Sequence, residues 1–253
     1  MIDVHCHLTD TGYTDNLEMV IDESTKSGVV MITNGTNPED SKKAAEIAEK
    51  FPNVWVCVGI HPENISTFQS ANIKQLENLL KLPKVVGMGE VGLDYYHGID
   101  EEEKKKQKKL LEVQLYLAEE YKLPVEIHNR AADDDIWEMI NKYKITGVMH
   151  CFTRNMEFME KCVSKGWYIS FGGLITYPNN DRMIKVARAV SVNRLLLETD
   201  SPYSFPEYGI KALNKPQNVK IVAGVVAAIR QMTIAQIDQI TSDNARTLFK
   251  RMI

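Results

Sequence analysis

The chain has 253 residues, and its 30 Lys and Arg against 34 Asp and Glu give a formal net charge of −4 at pH 7. Hydrophobic residues make up 44% and charged residues 25%, which is close to the globular average and excludes intrinsic disorder and collagen-like repeats. A weakly acidic chain does not coat nucleic acid through bulk charge, although an enzyme that acts on nucleic acid in a local pocket stays open. About 250 residues is also the usual length of a single (β/α)8 barrel.

The amino terminus carries neither the basic region nor the apolar core of a secretory signal, and no stretch approaches the roughly 18 apolar residues of a membrane span. Four cysteines lie far apart in the chain and form no CxxC pair: Cys6, Cys57, Cys151 and Cys162. We therefore expect a soluble cytoplasmic protein with reduced thiols, no membrane contact and no obligate protein partner.

Short apolar runs alternate with helix-length amphipathic segments along the chain. Most of the runs are rich in Val and Ile and lack polar alternation, as expected of parallel strands that are covered on both faces. The predicted strands are Ile2–His5, Val29–Thr33, Val54–Ile60, Val85–Glu90, Val125–His128, Gly147–His150, Tyr168–Phe171 and Leu195–Glu198.

Helical patterns separate these strands and follow the last of them. The predicted helices are Pro38–Lys50, Glu101–Tyr121, Asp133–Lys142, Met156–Lys165 and Asp181–Ala189, with two closing helices over Val219–Ile229 and Ile234–Met252. Eight strand–helix units in this length predict a (β/α)8 TIM barrel in a single domain, residues 1–253. A doubly wound sheet would place a Gly-rich phosphate turn after the first strand, where this chain has His5-Cys6-His7.

Ionisable residues stand at the carboxyl ends of the predicted strands. In a barrel these ends open onto one face, so we expect the side chains to converge there. Five of the six histidines occupy such ends, and we expect His97 on a helix surface. The residues at strand ends are His5 and His7 (first strand), His61 (third), Glu90 (fourth), His128 (fifth), His150 (sixth) and Asp200 (eighth).

The His-x-His pattern favours a metal site. Alternate residues of a strand point to the same side, so His5 and His7 could hold one ion, while Cys6 would point to the helix layer as a buried thiol. Imidazoles with carboxylates suit Zn, Mn, Fe, Ni or Co. Four histidines and two carboxylates exceed the three protein ligands common for a catalytic zinc, which suggests two ions with one bridging carboxylate.

Each of these positions also has a simpler structural interpretation. A histidine at a strand end is often a hydrogen-bonded core residue, Glu90 could pair with Arg or Lys, and Asp200 could cap a turn. Together, however, these interpretations would leave several charges unpaired in the mouth of a barrel, where burial of a charge is costly. A metal site accounts for all of them at once.

Five segments of the chain resemble the TatD-related metal-dependent deoxyribonucleases, which belong to the amidohydrolase-like metallohydrolases. The resemblance spans essentially the whole chain in the order of the family's motifs. The segments are Asp3–Leu8, Gly59–Pro62, Gly89–Tyr96, His150–Phe152 and Glu198–Tyr203.

The resemblance implies a role for each candidate residue. Two divalent cations per chain, with Zn, Mn and Mg as the candidates, would be held by His5, His7 and Asp200 on one side and by His128 and His150 on the other, with Glu90 bridging. Glu90 and Asp200 would be the catalytic carboxylates, and Asp200 would take the proton of the attacking water. His61 and Arg130 would contact the substrate phosphate, and Tyr203, with Tyr95 and Tyr96, would offer a stacking surface.

The chain departs from the family pattern in one segment. Where the family often has His-Arg-Gly-Lys after Asp-Ser-Pro-Tyr, this chain has Ser204–Lys211 without His or Arg, although Asn214-Lys215-Pro216 is retained. Two expected anion contacts are therefore missing, which leaves the substrate preference open.

We accordingly expect a hydrolase that cleaves phosphodiester bonds of DNA, single-stranded or at a 3′ end, as a 3′–5′ exonuclease. One alternative is a metallohydrolase of esters, amides or lactones, including D-aminoacyl-tRNA. The other is a non-catalytic barrel scaffold, which the presence of all six candidate ligands disfavours.

Overall fold

The computed structural model describes residues 1–96 and 98–252, so His97 and its expected place on a helix lie outside the described residues. Eight parallel strands pair in chain order, β1 to β8, and confirm the predicted (β/α)8 barrel. They are Ile2–Cys6 (β1), Val30–Asn34 (β2), Val54–Val58 (β3), Val85–Asp94 (β4), Val125–Arg130 (β5), Gly147–Met149 (β6), Tyr168–Phe171 (β7) and Leu195–Leu197 (β8).

Helices connect these strands and form the tail. They are Leu17–Lys26 (α1), Pro38–Lys50 (α2), Ser70–Leu79 (α3), Glu101–Tyr121 (α4), Asp133–Ile140 (α5), Met156–Ser164 (α6), Asp181–Ala189 (α7), Val219–Arg230 (α8) and Ile234–Leu248 (α9). Side-chain caps fix several starts: Asn37 accepts the Asp40 N–H at 3.0 Å ahead of Pro38, and Asp100 accepts the Glu103 N–H at 2.8 Å.

Residues just beyond β8 close the barrel against β1. The Asp200 N–H donates to the His5 carbonyl at 2.9 Å, and the His7 N–H donates to the Ser201 carbonyl at 2.7 Å. Cys6 and Ser201 form a parallel bridge. The closure therefore brings Asp200 beside the two histidines of β1, at the carboxyl end of the barrel.

The apolar core fills the layer between strands and helices, and a second cluster closes the opposite end. Leu248 and Phe249 of the tail are buried there with Ile2, Val86 and Tyr168, which stand near the amino ends of their strands. In such barrels the amino ends of the strands contribute to stability and the carboxyl ends carry the functional residues, and this chain has the same arrangement.

Several bounds differ from the predictions. β4 runs to Asp94 rather than Glu90, because its later residues pair with β5 as far as Arg130. β3 ends at Val58, so His61 stands in the loop beyond it. α1 and α3 are not among the helices whose bounds were predicted; Leu76 is the one buried residue of α3, which leaves little apolar periodicity to detect.

No single helix in the described chain is long and apolar enough to cross a membrane. Residues Pro216–Arg230 and Ile234–Leu248 meet that test only as a pair, bent by 109°. Both helices of the pair bury one face in the fold, including Val222, Ala223 and Ala245.

Candidate metal centre

The polar side chains at the carboxyl ends of the strands line one cavity of about 600 Å³. His7, Glu90, His128, His150 and Asp200 face this cavity, and His5 lies behind them, fully buried. His61, Arg130 and Tyr203 contribute to the wall. All nine residues singled out in the sequence therefore meet at one mouth.

Glu90 stands at the centre of the cluster and presents its two oxygens to different groups. Its Oε2 lies 3.5 Å from Nε2 of His5 and 3.5 Å from Nε2 of His7. Its Oε1 lies 2.8 Å from Nδ1 of His128 and 3.3 Å from Nε2 of His150. A carboxylate that divides its oxygens in this way suits a bridge between two cations.

The preceding residue must be a glycine. A Cβ on Gly89 would lie 2.8 Å from Cβ of Glu126 and 2.9 Å from Oδ1 of Asn34. Because those side chains are buried and cannot withdraw, any larger residue would push β4 away from its neighbours and displace Glu90.

Asp200 completes the β1 side of the cluster. Its Oδ1 lies 3.5 Å from Nε2 of His7 and 3.9 Å from Nε2 of His5, and its Oδ2 accepts the Ser204 hydroxyl at 3.2 Å. Its φ of 55° is left-handed, a conformation that Asp and Asn tolerate better than most residues.

Three histidines are held from behind by acceptors on their Nδ1 atoms. Nδ1 of His5 donates to Oε2 of Glu126 at 2.6 Å, and Nδ1 of His150 donates to Oε1 of Glu198 at 3.0 Å. Nδ1 of His7 lies 3.1 Å from the carbonyl of Asn34. With the proton on Nδ1, each ring can present its Nε2 to a cation in the cluster, as metal-ligating histidines do.

The fourth candidate, His128, lies between two carboxylates. Its Nδ1 faces Glu90, and its Nε2 lies 3.0 Å from Oδ2 of Asp94. The main-chain N–H of Tyr96 donates to the other oxygen of Asp94 at 3.0 Å, which fixes that carboxylate. His128 is therefore oriented from the end of β4.

His61 has the opposite tautomer from the three histidines with acceptors on Nδ1. Its Nδ1 accepts the backbone N–H of Glu63 at 3.2 Å, so its ring proton is on Nε2, 3.5 Å from Oε1 of Glu90. A nitrogen that carries a proton donates a hydrogen bond and does not bind a cation.

Two opposing effects set the pKa values of the cluster: burial disfavours the charged form of each group, and nearby groups of opposite charge favour it. Burial alone would raise the pKa of Glu90, but the electrostatic attraction of the His61 and His150 rings, together with the hydrogen bond to His128, holds it well below its usual range. Burial and the charge of His150 act to lower the pKa of His5, yet hydrogen bonds to Glu126 and Glu90 raise it to about 10. The carboxylates thus favour positive charge in the cluster, whether from protons or from a cation.

The donor set fits divalent cations. Ligand atoms come within 4.8 Å of one another in three groups: His5, His7 and Asp200; His5, Glu90 and His150; and His61, Glu90 and His128. Four imidazoles and two carboxylates are a mixture that suits first-row divalent metals. His61 stands in the third group by distance, and its tautomer distinguishes it from the other candidate histidines.

Two of the predicted substrate contacts lie on the rim. The Arg130 guanidinium lies 3.7 Å from the centre of the Tyr96 ring and 3.9 Å from Oδ2 of Asp94, and 46% of the side chain is exposed. The Tyr203 hydroxyl donates to Oδ2 of Asp10 at 2.6 Å, and its ring stands edge-to-face with His7. Tyr95 is half-buried.

The residues that orient the candidate metal ligands were not identified from the sequence. Glu126, Glu198 and Asn34 stand inside or directly after strands, and Asp94 lay in a quoted motif without a role. A signal existed for one of them: Glu126 precedes His128 by two residues on β5, so it shares a strand face with a candidate ligand.

Comparison with known proteins finds relatives over almost the whole length of the chain. Residues 2–250 match the TatD related DNase family. The chain is 33% identical over 254 residues to a Bacillus subtilis (strain 168) protein named uncharacterized metal-dependent hydrolase YabD, across 99% of both chains. It is 28% identical over 258 residues to the 3'-5' ssDNA/RNA exonuclease TatD of Escherichia fergusonii, across 98% of both chains. The crystal structure of YJJV, a TatD homolog from Escherichia coli k12, matches it with a TM-score of 0.92 at 29% identity, across 99% of this chain and 98% of that one.

The barrel, the cluster and these relatives define a metal-dependent hydrolase. The chain belongs to the TatD related DNase family, which confirms the resemblance drawn from its motifs.

Proposed function

We propose that this hydrolase cleaves phosphodiester bonds of single-stranded DNA from the 3′ end with two divalent cations. The observation that carries the proposal is Glu90, whose Oε2 faces His5 and His7 while its Oε1 faces His128 and His150. His5, His7 and Asp200 would hold one cation, His128 and His150 the other, and Glu90 both.

Cations bound there supply Lewis-acid polarisation of the phosphate and a water that deprotonates near neutral pH. The chain provides the remaining functions. Asp200 takes the proton of the attacking water through an oxygen in the cavity, while Ser204 holds its other oxygen. Glu126 and Glu198 keep the imidazoles of His5 and His150 in the orientation that binding requires.

Two groups of the cavity can bind the substrate phosphate. The Nε2–H of His61 points into the cluster and can donate to a phosphate oxygen in place of its weak 3.5 Å contact with Glu90. The exposed Arg130 guanidinium offers a charge-assisted, forked hydrogen bond at the rim. Both donors lie near His128, since His61 packs edge-to-face on that ring at 4.4 Å and Arg130 lies two residues further along β5.

The preference for a single strand and a 3′ end is supported by the Escherichia fergusonii relative, whose name states that polarity. The missing His and Arg after Tyr203 leave a hydrolase of D-aminoacyl-tRNA or another ester as the rival. The rival would use the same residues for a different carbonyl or phosphoryl group, so only the substrate separates the two.

The test is hydrolysis of end-labelled oligonucleotides by the manganese-loaded protein. A 5′ label should yield a ladder of shortened strands and a 3′ label should yield labelled mononucleotide at once, with both reactions stopped by chelator. Glu90→Gln should abolish the reaction, while Glu112→Gln, the same change on the exposed face of α4, should not. Intact DNA alongside deacylation of D-aminoacyl-tRNA would reject the proposal in favour of the rival.

A further inference from the structure

We propose that a second pocket on the same rim binds an unpaired nucleobase of the substrate strand, an inference that rests on the proposed function. The pocket encloses about 470 Å³ and is named here the aromatic pocket. Its walls include Leu174, Tyr177, Asn179, Arg182, Met183 and Tyr208.

The aromatic pocket opens on the catalytic face of the barrel. Tyr177 belongs to the loop that follows β7, and Tyr208 belongs to the loop that follows β8. Thr153, from the loop after β6, closes a third side. Since the carboxyl ends of all strands open onto one face, the pocket shares its rim with the metal centre.

The two loops run side by side from Asp200 to the pocket. Ser204, whose hydroxyl donates to Asp200, packs on Gly173 so closely that a Cβ there would lie 1.8 Å from the Ser204 carbonyl oxygen. Four residues further along each loop, the rings of Tyr177 and Tyr208 meet edge-to-face with centroids 5.5 Å apart. A strand with its scissile phosphate at Asp200 would therefore reach this pair beyond the two nucleotides that flank the scissile bond.

The side chains that line the aromatic pocket suit a nucleobase better than a series of apolar side chains. Tyr208 is 68% exposed, so much of its ring is available for stacking. Exposed apolar residues concentrate in the same loop, with Tyr203, Ile210 and Leu213 each about half exposed or more. Base–aromatic stacking needs no particular sequence, as an exonuclease requires.

The pocket also contains an unpaired cation. In residues 1–96 and 98–252, the Arg182 guanidinium has no hydrogen-bond or ion-pair partner. The other arginines of the chain each contact a carboxylate, a carbonyl or an aromatic ring; they are Arg130, Arg154, Arg188, Arg194, Arg230, Arg246 and Arg251. Arg182 and Lys185 together line an adjoining groove with Asp181, so a phosphate next to the stacked base would find positive charge.

Acidic side chains on the opposite side of the barrel mouth would direct the DNA strand towards the aromatic pocket. Asp40, in the first turn of α2, and Glu63, in the turn after β3, line the metal cavity and repel a polyanion. The aromatic pocket lies across the mouth from these acids. Stacking of a base in the aromatic pocket would replace part of the substrate binding that His and Arg supply in the family and that this chain lacks.

The test compares substrates of two lengths. Tyr208→Ala should raise KM for a single-stranded oligonucleotide of about eight nucleotides by about fivefold or more, and leave the hydrolysis of a dinucleotide unchanged. Arg182→Gln should raise KM for the longer substrate. The slope of log KM against log salt concentration should fall by about the contribution of one phosphate contact. Tyr116→Ala, on the exposed face of α4, is the matched control and should change neither substrate.

Stacking itself can be observed with 2-aminopurine placed at successive positions from the 3′ end. Its fluorescence should be quenched by the wild-type protein at one internal position, and Tyr208→Ala should remove that quenching. Unchanged kinetics and unchanged fluorescence in the Tyr208 and Arg182 variants of an active enzyme would overturn the subsite alone. So would an equal loss on the dinucleotide, since the change would then act on the chemistry. Failure of the wild-type protein to hydrolyse either length would instead reject the proposed function, and the subsite with it.

Discussion

Oε2 of Glu126 lies 2.6 Å from Nδ1 of His5 inside the barrel, where neither side chain is exposed. The carboxylate fixes the tautomer of the imidazole and directs Nε2 to the metal centre. The same relationship recurs between Glu198 and His150, and Oε1 of Glu198 also accepts the backbone N–H of Cys151 at 2.7 Å. The candidate metal centre is therefore oriented by residues that do not line the cavity.

Glu126→Gln should weaken metal binding by about 10- to 100-fold, because the amide keeps the shape of the side chain and loses its charge. The measurement is competition with a metal-binding dye at fixed pH, with Glu112→Gln as the surface control. An unchanged dissociation constant in folded Glu126→Gln protein would show that the carboxylate does not support His5.

Asp200→Asn should keep the fold and lose turnover by about 10²- to 10⁴-fold, the usual contribution of a general base. The backbone survives because Asn accepts the left-handed φ of 55° as readily as Asp does. The variant should be measured as kcat on DNA with metal content determined in the same sample. Normal kcat in metal-loaded Asp200→Asn would place the base on another residue.

The six candidate ligands were predictable, because barrel topology turns strand ends into neighbours without any knowledge of distances. The supports of those ligands were harder to find, since Glu126 appears in the sequence only as a charge within a buried strand. The tautomer of His61 could not be predicted from the sequence, because it is set by the backbone N–H of Glu63, which depends on the turn of the chain after β3.

Glu207→Arg should strengthen binding of DNA without changing the chemistry. The segment after Tyr203 lacks the family's His and Arg, and an added cation beside the mouth should contribute about 1.5–3 kcal/mol if it meets a phosphate. KM should fall by about tenfold or more with kcat little changed, and salt should inhibit more steeply.

Glu120→Arg controls for this result, because it makes the same change in net charge at an exposed position near the far end of α4. If KM and its salt dependence are equal in the two variants and the wild type, the loop does not contact the nucleic-acid backbone.

The four thiols should stay unreactive in the native protein. Burial raises the pKa of Cys162 to about 12, and it raises the pKa values of Cys6, Cys57 and Cys151 above their ordinary range. A raised pKa keeps the thiol protonated at pH 8, and the thiolate is the reactive form. A disulfide reagent should therefore label the native enzyme slowly and spare its activity, then label all four thiols on unfolding. Rapid labelling with loss of activity at pH 8 would place a thiolate in the mechanism.

The central claim is that two cations, joined by Glu90, perform the hydrolysis of DNA. Its most direct test is a titration of metal-free protein with Mn²⁺, in which release of nucleotide from 3′-labelled single-stranded DNA is measured against bound metal per chain. We predict that activity rises to a plateau at two ions per chain. Full activity at one ion per chain, or activity that persists without metal, would contradict the account.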